Sequence, residues 1–416
     1  MKISQFSNKY GVSNDTVRYY MELNLLTPVK KGGHYFYDER CESQIRDVLT
    51  LKDMGFSLQE IKNIFNFKRM GKLTTYQKNN YYQDIYQSKL EEINNQIAQL
   101  KDAKVRLIEK IEKLKTKNND RNITLGINLS TLSIFACPDC NSDLLLSAKK
   151  VEANQVIDGS LNCECGQSIK IKDGIIFVEN ENKDNDENPD NDEEQVEVTH
   201  IENYIRDTDP EFIDKSYQTL EWLKRQFEQE DLSEKVILEP GSGYGHFLRQ
   251  VYDQLPEDSI YICVDNQLQI NKYLKQYLEL TGKRSNVIFI NADLPKLPLK
   301  DNLVDLMVDF TGTSCYCFEN KGFLPQLLDN YLKPETIFTA IFIIYHKFGP
   351  HNYVERPYRH NFMINNVKNN LLEQNFVIKE EVKTETVEIK KMPGKYEDFA
   401  NPGDKIYAYQ IKAARD

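Results

Sequence analysis

Three groups of residues have types and spacings that can do chemistry. The first is four cysteines, Cys137-Pro-Asp-Cys140 and, after 22 intervening residues, Cys163-Glu-Cys165. Short cysteine loops bounding a strand-rich stretch suit tetrahedral Zn²⁺, because four thiolates can replace a core that so small a stretch cannot build. Such a set leaves no open coordination position, so the ion would be structural rather than catalytic; free or redox-active thiols are the alternative. The second group is Glu239-Pro-Gly241-Ser-Gly243-Tyr-Gly245, with Asp265 and Asp293 after two later apolar runs. Glycines let a backbone approach a ligand closely, and a carboxylate beside them suits a cationic ammonium better than a phosphate. The third is Arg18, Lys30 and Lys31, candidates for phosphate contacts, with Ser13, Asn14 and Thr16, short polar side chains that can reach base edges.

The elements that must position these residues can be read from periodicity. Lys2-Ile-Ser-Gln-Phe-Ser7 opens a short helix, Gly11 turns the chain, and Ser13 caps a second helix, Thr16 to Glu22. That is a helix-turn-helix, whose second helix enters a major groove. Leu25 to Tyr37 reads as a hairpin wing with Lys30 and Lys31 at its tip, and Ser57-Leu-Gln-Glu60 as a capping box opening a fourth helix. One of Tyr19 and Tyr20 is expected in the core. Leu90, Ile93, Ile97, Leu100, Lys104, Leu107, Ile111 and Leu114 alternate at spacings of three and four. That is a coiled-coil seam, expected to dimerise the chain through residues 75–117. Further on, Val236–Glu239, Ile260–Val264, Asn286–Ile290, Val304–Val308 and Thr336–Tyr345 are apolar strands alternating with helical patterns, the first of these His246–Gln254. This predicts a parallel, doubly wound sheet with ligands outside the carboxyl ends of its strands.

Charge divides the chain as the motifs do. Residues 1–121 carry a net +7, as expected of a head that meets a polyanion, within a total of −11. Residues 179–202 carry −10 with few apolar side chains, and are expected to be a disordered linker. The longest strongly apolar run, Ile337 to Tyr345, is about half of what a membrane-spanning helix needs, and the first residues lack a signal-peptide core. A cytoplasmic protein without membrane contact is expected. The divisions are 1–72 for the DNA-binding head, 75–117 for the stalk, 133–178 for the zinc ribbon, 179–202 for the linker and 203–416 for the sheet domain.

Two family resemblances sharpen this reading. Gly11-Val-Ser13, Arg18-Tyr19-Tyr20, Leu25-Leu26-Thr27-Pro28, Tyr37-Asp38 and Gly55 to Lys62 make residues 1 to about 68 resemble MerR-family winged helix-turn-helix transcription regulators. The resemblance implies an antiparallel dimer stalk, promoter DNA and RNA polymerase as partners, and DNA contacts from Ser13, Asn14, Thr16, Arg18, Tyr19, Lys30, Lys31 and Tyr37. The wing departs from the family pattern, with Gly33-His34-Tyr35-Phe36-Tyr37 where an arginine is usual. The glycine turn, complete as Glu239-x-Gly241-x-Gly243-x-Gly245, is similar to motif I of class I S-adenosylmethionine-dependent methyltransferases. This implies that Glu239 and the glycines line the methionine end, Asp265 takes the ribose hydroxyls and Asp293 meets the adenine. The cysteine stretch resembles the zinc ribbons that precede some methyltransferase domains.

Together these predict a multidomain chain: a mainly α winged helix-turn-helix, a long coiled coil, a small zinc ribbon and an α/β Rossmann-like methyltransferase domain. The function expected is a DNA-binding regulator whose methyltransferase domain acts as effector or methylates an unidentified small molecule. A working small-molecule methyltransferase that controls its own gene is the alternative. A nucleic-acid methyltransferase is disfavoured, because Asp309-Phe-Thr-Gly312 stands where an amino-methylating motif would fall. His346, His351 and His360 are candidate bases that fit surface loops better.

Overall fold

The computed structural model describes residues 1–71, 74–115, 123–178, 200–283, 285–394 and 399–415. The chain divides into two compact units, Met1–Asn119 and Asp120–Asp416. No helix among the described residues is long and apolar enough to cross a membrane.

In the first unit, α1 (Ile3–Tyr10) turns through Gly11 into α2 (Asn14–Glu22). Gly11 takes φ 66°, a left-handed value that closes a helix without a Cβ clash. The wing pairs β1 (Val29–Lys31) with β2 (His34–Phe36) in antiparallel register, Lys31 opposite His34. Helices α3 (Glu39–Asp53) and α4 (Leu58–Met70) complete the head. Ser57 and Glu60 form the reciprocal capping box at α4, each satisfying the other's backbone N–H. Phe6, Val17, Tyr20, Leu25, Ile45, Ile61 and Phe65 fill the core. The stalk is α5 (Thr75–Lys115), and residues 116 and 117 of the expected range lie outside the described residues. Seam residues Leu90, Leu100, Leu107 and Leu114 each keep half or more of their surface exposed, an apolar stripe left largely open to solvent.

The second unit is built on one continuous mixed sheet. Its first part is β3 (Ile127–Asn128), β4 (Leu145–Glu152), β5 (Gln155–Asn162), β6 (Ser168–Lys172) and β7 (Ile175–Phe177). Helices α6 (His200–Asp207) and α7 (Pro210–Phe227) follow. Then come β8 (Val236–Pro240), α8 (Leu248–Val251), β9 (Ile260–Asp265), α9 (Leu268–Leu280), β10 (Asn286–Asn291), β11 (Val304–Phe310), α10 (Gly312–Cys317) and α11 (Leu324–Leu327). The chain ends with β12 (Leu332–Lys347), α12 (Ile364–Glu373), β13 (Phe376–Lys383), β14 (Val387–Glu388) and β15 (Lys405–Arg415).

The strand order is β13-β15-β12-β11-β8-β9-β10-β7-β6-β5-β3, with β4 on β5 and β14 on β15. Strands β8 to β12 run parallel, while β15 is antiparallel to both β12 and β13. From β8 the chain moves outward to β9 and β10, then returns to β11 on the other side of β8. The order therefore reverses between β8 and β11, and there an open doubly wound sheet binds its ligands. The C-terminal unit is thus a Rossmann-like fold carrying an antiparallel edge.

Three expectations change. The cysteine stretch, expected as a small module of its own, joins the main sheet: β7 pairs in parallel with β10, Ile175 opposite Phe289 and Phe177 opposite Asn291. The reason is β10's outer edge, which would otherwise leave backbone N–H and C=O groups unpaired. The expected linker 179–202 lies outside the described residues up to 199, and helix α6 begins inside it at His200, where Ile201, Tyr204 and Ile205 recur at helical spacing. The helical pattern after the glycines is also shorter than expected, α8 followed by a 3₁₀ turn over Tyr252–Gln254.

Candidate functional sites

In the head, Ser13 Oγ caps α2 by accepting from Thr16 N at 3.0 Å, and it pairs with Thr16 Oγ1 at 2.8 Å. Asn14 Oδ1 accepts from Ser7 Oγ at 2.8 Å, fastening the turn to α1. Arg18 donates to Asp15 at 2.8 Å on the exposed face. Tyr19 is exposed and Tyr20 is buried, so α2 sends one tyrosine each way. Lys30 and Lys31 are exposed at the wing, and the Lys30 ammonium lies 5.6 Å from the Tyr35 ring. Tyr37 is not among these surface groups. It is 1% exposed, stacks on Phe6 at 4.6 Å and gives its hydroxyl to Met21 Sδ at 3.0 Å. A buried ring with an internally satisfied hydroxyl has nothing to offer DNA. The exposed aromatics that the sequence reading passed over are Tyr35 and Phe36 on the wing itself.

The four thiols converge. All Sγ atoms of Cys137, Cys140, Cys163 and Cys165 lie within 4.8 Å of one another, with Cys137–Cys165 at 3.6 Å and Cys140–Cys163 at 3.4 Å. A tetrahedron with Zn–S bonds of about 2.3 Å has S···S edges of about 3.8 Å, so the donor set fits Zn²⁺ despite the single residue between Cys163 and Cys165. Hydrogen bonds from Ser142 draw the Cys140 thiol down to about 6. Burial, foremost, raises the Cys137 thiol. Thiols this crowded do not all ionise without a cation among them.

At the switch point the three glycines take φ 68°, 50° and 69°, and each faces something different. A Cβ on Gly241 would stand 2.9 Å from Gly312 Cα, where the loop after β11 closes against the loop after β8. A Cβ on Gly245 would stand 2.3 Å from Leu274 Cδ1 of α9. Gly243 has nothing within 4 Å, so the open side of the turn is at its middle. Asp265 holds that turn, accepting from Gly243 N at 3.0 Å and from Gln267 N at 2.9 Å. Asn271 ties the ends of β9 and β10 by donating to Asp265 O at 3.0 Å and Asn291 Oδ1 at 3.2 Å. Asp293 follows β10, half-buried, two residues beyond the last ladder position, and neighbouring Ala292 donates to Asp265 O.

Glu239 is buried beneath the turn and accepts from Tyr261 OH at 2.8 Å. Burial pushes its carboxyl up to about 8, against the lowering effect of the tyrosine bond. Asp309, at the end of β11, is wholly buried and accepts from Thr313 N with both oxygens; burial raises it to about 6. Asp265 is also raised, again by burial. The sequence reading did not count Asp309 or Tyr261 among the site residues, although strand alternation places Tyr261 on one face with Cys263 and Asp265. It also missed His246, half-buried after Gly245, whose ring lies 5.6 Å from Tyr204 of α6 and 6.3 Å from Phe310. His346, His351 and His360 are exposed, and His360 Nδ1 meets Pro357 O at 2.8 Å.

Comparison with known proteins separates the two units. Residues 1–68 match the family described as MerR HTH family regulatory protein, and residues 43–110 the family described as MerR, DNA binding. The head and the first part of the stalk are thus a MerR-type helix-turn-helix region. A curated relative is the HTH-type transcriptional regulator ZntR homolog of Haemophilus influenzae, 27% identical over 124 residues, 29% of this chain and 87% of that protein. Another is the HTH-type transcriptional regulator YfmP of Bacillus subtilis, 33% identical over 72 residues, 17% of this chain and 51% of that protein. Among solved structures, similarity extends to a SAM dependent methyltransferase from Aquifex aeolicus, 19% identical with TM-score 0.32, covering 47% of this chain and 89% of that one. A putative methyltransferase from Bacillus halodurans is 14% identical with TM-score 0.36, covering 48% and 99%.

Proposed function

We propose that the chain is a dimeric, promoter-binding transcription regulator whose C-terminal unit binds S-adenosylmethionine. The carrying observation is the open space at Gly243, flanked by two glycines sealed against neighbours and underlain by Glu239 and Asp265. The donor supplies a methyl group activated on a sulfonium. Glu239 faces its ammonium, the turn's backbone supports its methionine end, Asp265 accepts from its ribose hydroxyls and Asp293 meets its adenine amino group. Each Asp265 oxygen accepts one backbone bond and keeps a further lone pair, so the carboxylate can take the ribose hydroxyls while it still holds the turn.

At the other end, α2 presents Ser13, Asn14, Thr16, Arg18 and Tyr19 to a major groove while Lys30 and Lys31 meet phosphates. The uncovered seam of α5 supports pairing with a second chain, which places two heads on a two-fold operator with RNA polymerase as further partner. The four thiolates hold a structural Zn²⁺, and the protein works in the cytoplasm. A second reading is favoured by His246. Between Tyr204 and Phe310, beside the open turn, its imidazole can take a proton from a small methyl acceptor, which would make the unit a working enzyme. Titration calorimetry with donor and with demethylated product tests the common claim. Heat at micromolar concentrations supports it, and silence at millimolar concentrations from folded protein makes the unit a regulator without a donor site.

A further inference from the structure

The crossover from β10 to β11 is the segment of the switch region built least like its neighbours. Parallel strands are usually joined through a packed helix. Residues 292–303 contain none, and Asp293 is the second residue of this segment. Part of its support comes instead from the cysteine stretch. Phe135 bridges Leu299, Ala136 N donates to Pro298 O at 3.2 Å and Lys300 N donates to Ile134 O at 2.9 Å. Asn141 Nδ2 donates to Asp301 at 2.7 Å, and Lys300 pairs with Asp143 at 2.8 Å. Ile134 and Phe135 share one core cluster with Leu297 and Leu299.

The same stretch also grips the other side of Asp293. β7 runs along β10 as far as Phe177 opposite Asn291, and Val178 N donates to Asn291 O at 3.0 Å. The residues on both flanks of Asp293 are therefore held by the chain that carries the thiols. Cys137 sits one residue beyond Ala136, and Cys140 one residue before Asn141. The clasp meets the second cysteine pair through the sulfur contacts and a 2.7 Å bond from Gln167 to Asp139, beside apolar packing of Ile134 and Phe135 with Leu161 and Ile169. A competing anchor exists: Tyr331 OH bonds both N and O of Leu297 from the β12 side. Asn330 and Tyr331 also hold 301–303, through Asn330 Nδ2 to Asp301 at 3.0 Å, Asn302 N to Asn330 O at 2.9 Å and Leu303 N to Tyr331 O at 2.8 Å, so among the described residues it is the hydrogen bonds at 298 and 300 that come from the clasp alone.

We infer that the four-cysteine cluster is a positioning element for the adenine edge of the donor site, so that donor affinity depends on the metal held there. This rests on the donor reading above and extends it. Removing the ion frees the Phe135–Asp143 loop, the loop lets go of 298–300, and Asp293 loses part of what fixes its place. By linkage the effect is reciprocal, and bound donor tightens the metal by the same factor.

The test uses the full-length protein, loaded with Zn²⁺ or stripped by a strong chelator under reducing conditions, with metal content checked by elemental analysis. Amide hydrogen exchange should rise over 292–303 on stripping and stay near its starting value in β9. Calorimetry with S-adenosylhomocysteine should show about tenfold weaker binding by the stripped protein, restored by added Zn²⁺. A double variant, Asn141→Ala with Asp143→Ala, keeps all four thiols and should retain the metal yet weaken binding in the same direction. Unchanged affinity and unchanged exchange over 292–303 after verified metal loss overturn the inference. No binding by the Zn²⁺-loaded protein overturns the donor reading itself, a result distinct from the first.

Discussion

The polar groups of the head and those of the glycine cradle differ in how much water they keep. Arg18 and Asp15 pair with most of both side chains in solvent, and Lys30 and Lys31 stand free at the wing tip with no acidic partner among the described ion pairs. Exposed pairs of this kind are worth about 0–1 kcal/mol, so Arg18 can exchange Asp15 for a phosphate at little cost. In the cradle, Glu239 and Asp309 have given up their water during folding, and burial has moved both carboxyls upward. A surface built to meet a polyanion gains by releasing counterions at the moment of contact. A cradle for one small cation gains by having its carboxylate already desolvated. The head should therefore answer to salt, and the cradle to pH.

The largest effect expected is on DNA. If two heads contact six to ten phosphates, raising salt from about 50 to 200 mM should weaken operator binding by about 10³–10⁵-fold. Fluorescence anisotropy on a labelled duplex measures it. Replacing Arg18, Lys30 and Lys31 with alanine should weaken binding on any sequence and make the salt slope shallower by about one for each phosphate no longer neutralised. Donor affinity over the same salt range should hardly move; an equal slope there would break the contrast.

Within the cradle, two neighbouring glycines sharpen the same point. Gly243→Val and Gly245→Val both place a side chain at positive φ, costing about 1–2 kcal/mol. Gly245→Val also drives a Cβ into Leu274 and should lose a further 1–3 kcal/mol or so through overpacking. The melting temperature should fall more for position 245, whereas Gly243→Val should fold and bind no donor. Calorimetry and thermal unfolding on the pair check this, and a Gly243→Val protein with normal donor affinity would move the site elsewhere.

How far the sequence foretold these features depends on whether they are local. The Ser57–Glu60 box, the Gly11 turn and the wing are set by residues a few positions apart, and each stands where its pattern placed it. Doubly wound alternation was legible for the same reason: each strand and helix carries its own period. Tyr37 misled because the wing pattern marks its position but not its face, and the face is decided by Phe6, thirty-one residues earlier. The β7–β10 pairing joins residues more than a hundred positions apart and depends on which edge is left open, which no periodicity records. Burial of Glu239 and Asp309 was invisible for a related reason, since desolvation belongs to the surroundings and not to the carboxylate. Cysteine spacing foretold a four-sulfur cluster but not that its loop would clasp 298–301.

Smaller than the glycine effects is the loss expected from Asp265→Ala. Charge-assisted hydrogen bonds to both ribose hydroxyls are worth roughly 1.5–3 kcal/mol, which corresponds to about ten- to hundred-fold in donor affinity. Part of the loss comes through the turn, because Asp265 also holds Gly243 N. Asp265→Asn should recover some of it, and an unchanged affinity would remove the ribose role.

The smallest effect is the most specific to the buried cradle. The Glu239 carboxyl is raised from 4.5 to about 8, with burial as the main cause. In the folded protein without donor it therefore holds its proton through neutral pH. Unfolded chain loses that proton near 4.5, so the folded state binds more protons between the two values, and its stability falls as pH rises across that window. Glu239→Gln should flatten this part of the stability profile. Donor binding runs the other way, because the donor's ammonium favours the ionised carboxylate. Between pH 6 and 7 the ionised fraction of a group titrating near 8 rises about tenfold, and donor affinity should rise by about that factor. Asp309, near 6, titrates in the same interval, so Glu239→Gln is the control that isolates the first group. Calorimetry in two buffers of different ionisation enthalpy should count about one proton released per donor bound at pH 7, and none in the variant. Equal proton release by both proteins would assign the effect to Asp309 and leave Glu239 as a neutral acid fixed by Tyr261.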